Sequence, residues 1–175
     1  MRSAFAAIVL CLAAVLFAAS APIVYGAERN PLKKAQIGDW IEITIWGPGK
    51  KTVIERHTVV KKTEDELALE RKTTIDTKEQ SAEREFVSLK TPWIRAQLAL
   101  PAGVEAIKQG EGIEKISVKG QDYICHWVKH KAGKETLTVW RAPDVPLDGL
   151  VKAEIEIEGS PDDGVRIEIT GSGNK

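Results

Sequence analysis

The chain predicts a mainly β protein: a curved antiparallel sheet of about eight or nine strands, a half-barrel or sandwich, with at most one or two short helices. Three observations carry that prediction. After residue 26 no apolar stripe recurs at helical spacing, whereas short runs rich in Val, Ile, Thr and Trp alternate apolar with polar residues. Clusters of Gly, Pro and Asp punctuate those runs at short intervals. In the C-terminal half, two hairpins read independently from their turns gather apolar residues on one common face.

The first stretch stands apart. Arg2 precedes a run from Ala4 to Ala19 in which every residue is apolar. That run is short for a bilayer span and small residues follow it, the pattern of a secretory signal. Val24 and Gly26 suit the peptidase subsites, so cleavage is expected after Gly26. Residues 1–26 then form the signal peptide and residues 27–175 a single all-β domain, exported to a periplasmic or extracellular destination with no stable membrane span. Cys11 follows Leu10 in mid-run, which is not the setting of a lipid-attachment cysteine.

Without residues 1–26 the chain carries 24 basic against 25 acidic side chains. Such a balance offers no electrostatic reason to bind nucleic acid or an anionic membrane. Cys125 is then the sole cysteine, so no intramolecular disulfide forms even in an oxidising compartment. About 149 residues are enough to bury a core without one. Stability has to come from packing.

Ile41, Ile43 and Ile45 alternate with Glu42 and Thr44 as a half-buried first strand, which Gly47-Pro48-Gly49 ends. Lys51 to Lys62 reads as a second strand. Thr63 to Glu66 turns the chain into a third, Leu67 to Thr74. Asp76 to Glu85 is polar, either a loop or one short helix, before a strand resumes from Arg84 to Leu89. Thr91 to Gly112 holds Pro92, Pro101, Gly103 and Gly110, and is expected to be an irregular excursion or a short helix around Val104 to Lys108.

A tight hairpin is expected next, with Gly120-Gln121 as a type II′ turn, Val118 opposite Tyr123 and Ile116 opposite Cys125. A three-residue loop, Lys131-Ala132-Gly133, would set Trp127 against Leu137 and Cys125 against Val139. Both registers point Ile116, Val118, Tyr123, Cys125, Trp127, Leu137 and Val139 the same way. Pro143 to Asp148 is a connection. Val151, Ala153, Ile155 and Ile157 alternate with Lys152, Glu154, Glu156 and Glu158. Gly159 to Gly164 then leads to a last strand carrying Val165, Ile167 and Ile169, with Arg166 opposite Glu156 or Glu158.

No constellation carries catalysis. Cys125 and His126 are neighbours on a strand and project to opposite faces. His126 and His130 share a face but stand about 13 Å apart, too far for one metal ion. Glu154, Glu156, Glu158 and Glu168 form the solvated side of alternating strands rather than an acid pair around a cleft. Asp162-Asp163-Gly164 is turn chemistry without the spaced acids of a calcium loop. Serine-nucleophile, zinc-helix and phosphate-loop motifs are absent.

Five tryptophans are many for this length: Trp40, Trp46, Trp93, Trp127 and Trp140. Trp127 belongs to the expected apolar face. Trp40, Trp46 and Trp140 lie off it, which suggests either a sheet packed on both faces or a ligand-binding mouth.

The stretch Gly112 to Glu154 holds "GIEKISVKGQDYICHWV" followed by "LTVWRAPDVPLDGLVKAE". It resembles a loose group of bacterial exported domains of unknown function, similar in architecture to the periplasmic lipoprotein-carrier half-barrels. In those carriers a curved antiparallel sheet wraps a hydrophobic cavity closed by helices; this chain lacks amphipathic helices for such a lid. The resemblance implies no catalytic residue. Together with the common apolar face and the tryptophans, it leads to the expectation of a non-enzymatic exported β domain that binds an apolar ligand or lipid on its concave face, with Trp93, Trp127 and Trp140 as the candidate ligand-binding residues and no cofactor. The alternative is an extracytoplasmic structural or interaction module with a filled core, whose partner would be an envelope protein.

Overall fold

The computed structural model describes residues 30–91, 93, 98 and 104–174. The segment read as a signal peptide lies outside the described residues, as do Pro92, Pro101 and Gly103 of the expected excursion. Ten strands build one antiparallel sheet: β1 (Trp40–Trp46), β2 (Thr52–Lys62), β3 (Glu66–Ile75), β4 (Lys78–Glu79), β5 (Glu83–Ser88), β6 (Ile107–Val118), β7 (Gln121–Ala132), β8 (Glu135–Arg141), β9 (Leu150–Ile157) and β10 (Val165–Gly173). Their order in space is β4-β3-β2-β1-β10-β9-β8-β7-β6, with β5 pairing along β3. Helical structure among the described residues is confined to short 3₁₀ turns such as Pro31–Lys34 and Pro161–Asp163.

Alternation decides which side chains meet. β10 returns from the far end of the chain to lie beside β1, setting Ile43 opposite Ile169 and Ile45 opposite Ile167. The same inner row continues through Ala153 and Val139 to Val128. Ile167, Ala153 and Val139 are buried, so this face holds the core. β6 comes within 8 Å of β10 although three strands separate them. A flat sheet would hold the two about 19 Å apart. The sheet therefore curls, with the apolar face inside.

Off-strand side chains join that core. Leu32, Ala35, Leu89 and Leu98 lie in the same buried cluster as the inner-face isoleucines. Asn30 anchors the first turn: its side-chain oxygen accepts from the Leu32 amide, while Nδ2 donates to the Ser88 and Thr91 carbonyls at 2.9 and 2.8 Å.

Several elements differ from expectation. Residues 76–85 contain a tight turn at Asp76 and Thr77, both at positive φ, which hands β3 back to β4 rather than to a loop or helix. Positions 107–112 are strand, and no helix forms around Val104 to Lys108. Their pairing with β7 settles this, because β7 supplies ladder partners along the whole length of β6.

The hairpin turns differ too. Val118 faces Gln121, so the loop is Lys119-Gly120, with φ of 49° and 81°, the shape of a type I′ turn. Ile116 consequently faces Tyr123 and Glu114 faces Cys125. That shift is even and leaves the faces as expected. At the second turn Ala132 faces Glu135, so the loop is Gly133-Lys134, one residue shorter than expected. Trp127 therefore pairs with Trp140, and Leu137 with His130. An odd shift reverses a strand's faces. Leu137 and Val139 point into the inner core, away from Ile116, Val118, Tyr123, Cys125 and Trp127. The apolar pattern could not discriminate here, because Leu137, Thr138, Val139 and Trp140 are all buried, on both sides of β8. On β10, Arg166 faces Glu154 rather than Glu156 or Glu158.

Candidate functional site

Two clusters stand out. The first runs across the outer face, where strand registers align one row over seven strands: Ile54, Thr44, Glu168, Lys152, Trp140, Trp127, Gly112. Alternation puts Trp140 and Trp127 side by side there, so two of the three candidate tryptophans meet. Trp140 is buried; its Nε1 donates to Glu114 Oε2 at 2.9 Å, and Lys152 Nζ stands 4.9 Å from its ring centroid. Lys152 also pairs with Glu154 at 2.8 Å. Trp127 lies across two glycines of β6: a Cβ at Gly112 would stand 2.9 Å from its Nε1, and one at Gly110 3.2 Å from its Cη2. Glycine is what lets the indole lie down on the strand.

Trp40 repeats the device at β10, lying against Gly171 and Gly173, with the Arg56 guanidinium 3.8 Å from its ring centroid. Stacking of this kind occupies aromatic faces that a ligand would otherwise use. Trp93, the third candidate, lies on no strand and so has no place in this row; like Trp127, it is partly buried and packs against the buried core cluster.

Beside this row lies an open groove of about 720 Å³, lined by Trp46, Glu154, Glu156, Asp162 and Arg166 among others. Arg166 is already engaged there. It pairs with Glu168, and its guanidinium sits 5.7 Å from the Trp46 ring centroid.

The second cluster was not anticipated. Glu55 and His57 lie two apart on β2 and therefore share the inner face, where His57 Nε2 and Glu55 Oε2 are 3.0 Å apart and both residues are buried. Arg71, opposite His57 on β3, brings Nη1 to 4.0 Å from Glu55 Oε1 and pairs with Glu83. Burial works against the Arg71 charge, but Glu83, Glu55 and Glu85 outweigh it and hold the guanidinium above its ordinary pKa. His57 Nδ1 is buried without a hydrogen-bond partner. The signal was legible: Val53, Glu55, His57 and Val59 alternate along one face of a strand, so polar groups flanked by valines had to enter the core. A Glu–His pair can pass a proton, yet general acid–base work also needs a substrate within hydrogen-bond reach. His57 is only 4% exposed.

Cys125 sits under the connection that follows β8, in which Ala142, Val145 and Leu147 are buried. Burial first, then Asp144 and Glu114, push its thiol up to about 11. Burial and Asp144 also raise Tyr123. Such a thiol is a core side chain rather than a nucleophile. His126, with Glu111 Oε2 3.4 Å from its Nε2, is exposed. Among the described residues no three His, Cys, Asp or Glu side chains converge to hold a metal ion, and no helix is long and apolar enough to cross a membrane.

The chain matches no family model, and no curated protein is similar enough to it to count as a relative. Fold and site define a class only: a curled antiparallel β-sheet protein whose inner face buries a Glu–His pair and whose outer face carries a tryptophan-and-charge row.

Proposed function

We propose that this is a non-enzymatic, exported β-sheet module that acts by binding another protein, its inner face filled by its own chain. One observation carries the reading. Leu32, Leu89 and Leu98, none on a strand, share a buried cluster with the inner-face residues Ile43, Val139 and Ile167. The inner-face side chains of Ile43, Val139 and Ile167 are themselves 0%, 1% and 0% exposed, so the chain's own atoms cover the surface that a lipid or acyl chain would need. The outer tryptophans support it as well, because their rings lie on glycine backbone or beneath Arg and Lys. Export rests on Arg2 and the apolar run that follows it.

Titration with bis-ANS, together with native mass spectrometry of chain purified without delipidation, tests the reading. The expected result is no saturable dye binding and a mass equal to protein alone. A stoichiometric lipid, or dye binding that saturates at one site, would return the inner face to an apolar-ligand role.

A further inference from the structure

The sheet ends on β6, and among the described residues no strand pairs with its outer edge. Free edges are usually shortened or blunted, because they offer unpaired N–H and C=O groups to any passing strand. The opposite side of the sheet follows that rule: β4 has two residues, and β5 has six, three of them charged at its start. β6 does not. It has twelve residues, and its only register shift lies near one end, between Lys108 and Gly110.

Its side chains are arranged with a symmetry of their own. On the inner side of the sheet β6 presents Glu111, Ile113 and Lys115 in alternation, and Ile113 is 78% exposed. Ile124 of β7, diagonal to it on the same side, is 62% exposed. This is the end of the hairpin where the inner face leaves the core, since Ile116, Tyr123 and Cys125 are covered from the other side.

We infer that β6 pairs antiparallel with β6 of a second copy of this chain, about a two-fold axis at Ile113, so that one sheet runs through a dimer. The inference rests on the interaction-module reading and names its partner. Centred on Ile113, the pairing sets Glu111 opposite Lys115 of the second copy, and Lys115 opposite its Glu111. The two Ile113 side chains meet between these ion pairs, with the two Ile124 side chains at their flanks. On the other side Gly112 faces Glu114, and Gly110 faces Ile116, with the Trp127 indole lying over both glycines. Neighbouring centres fail. Centring on Glu114 opposes that carboxylate to itself, and centring on Gly112 sets Glu111 against isoleucine. The pairs these residues make within one chain do not compete strongly: Glu111 with Lys108 and His126, and Lys115 with Asp122, are exposed. An isologous two-fold contact of this kind closes on itself and stops at two copies.

Sedimentation equilibrium tests it, on the chain expressed in full so that its own processing is retained. The wild type is expected to be a dimer at tens of micromolar. Lys115→Glu, which sets like charges opposite each other twice, is expected to weaken the dimer about tenfold or more, and Glu111→Lys likewise. The charge-swapped double variant Glu111→Lys/Lys115→Glu is expected to regain wild-type association. Circular dichroism confirms that each variant is folded, and a fold defect would not be rescued by the swap. A monomeric wild type, single variants that associate as well as wild type, or a double variant that stays apart would each overturn the inference. A monomer that takes up no bis-ANS would refute the dimer and leave the interaction module standing, whereas saturable dye binding by an intact dimer would refute the filled core alone.

Discussion

Gly149 closes the connection that covers Cys125, and replacing it with alanine tests how that cover is held. Its φ is +71°, and a Cβ built there would stand 2.8 Å from the Ala142 carbonyl oxygen. That oxygen belongs to backbone pinned in place, because the Ala142 amide donates to the Gly149 carbonyl at 2.9 Å. Two costs add. A left-handed backbone costs an alanine about 1–2 kcal/mol, and a contact far inside van der Waals range forces the chain to move, for a total of about 3 kcal/mol. Gly120 separates the two. Its φ is +81° but nothing lies within 4 Å of a Cβ, so Gly120→Ala pays only the conformational part, about 1 kcal/mol. In thermal unfolding the expected losses are roughly 6–12 °C for Gly149→Ala and about 2–4 °C for Gly120→Ala. Equal losses at the two positions would refute the close approach to Ala142, and with it this account of the connection.

Two further outcomes follow from buried groups. Cys125 is 0% exposed with its pKa near 11, so at pH 8 about one thiol in a thousand is ionised; in chain expressed without residues 1–26, DTNB is expected to titrate no thiol in the folded state and one per chain after addition of denaturant. His130 is held below its ordinary value of 6.5 by burial and then by Lys108. Below pH 6.5 the unfolded chain therefore binds a proton that the folded chain resists, so the stability present above that pH is lost as the pH falls toward the depressed folded value. Urea midpoints are expected to drop from pH 7.5 to 5.5 in the wild type, and by less in His130→Gln; identical drops would show that His130 is not the group responsible.

The local alphabet determined most of what is seen along each strand. Alternating isoleucines on β1, β9 and β10 and positive-φ glycines at the turns are properties of neighbours, readable without knowing what lies across the sheet. The grouping of Cys125 with Tyr123 and Trp127 on one side of their strand followed from the same alternation, although that side is the outer face of the sheet. What the tertiary structure decided was everything that depends on a count across a loop or on a distant partner. One residue fewer in the loop at Gly133 turned β8 over, and since β8 is buried on both sides, no hydrophobic pattern could have announced it. The pairing of β10 with β1, the bridging of Thr91 and Ser88 by Asn30, and the meeting of Trp127 with Trp140 likewise join positions whose separation in sequence carries no local signal. Glu55 and His57 lay between the two regimes: their shared face was written in the strand, but only the curl of the sheet made that face the core.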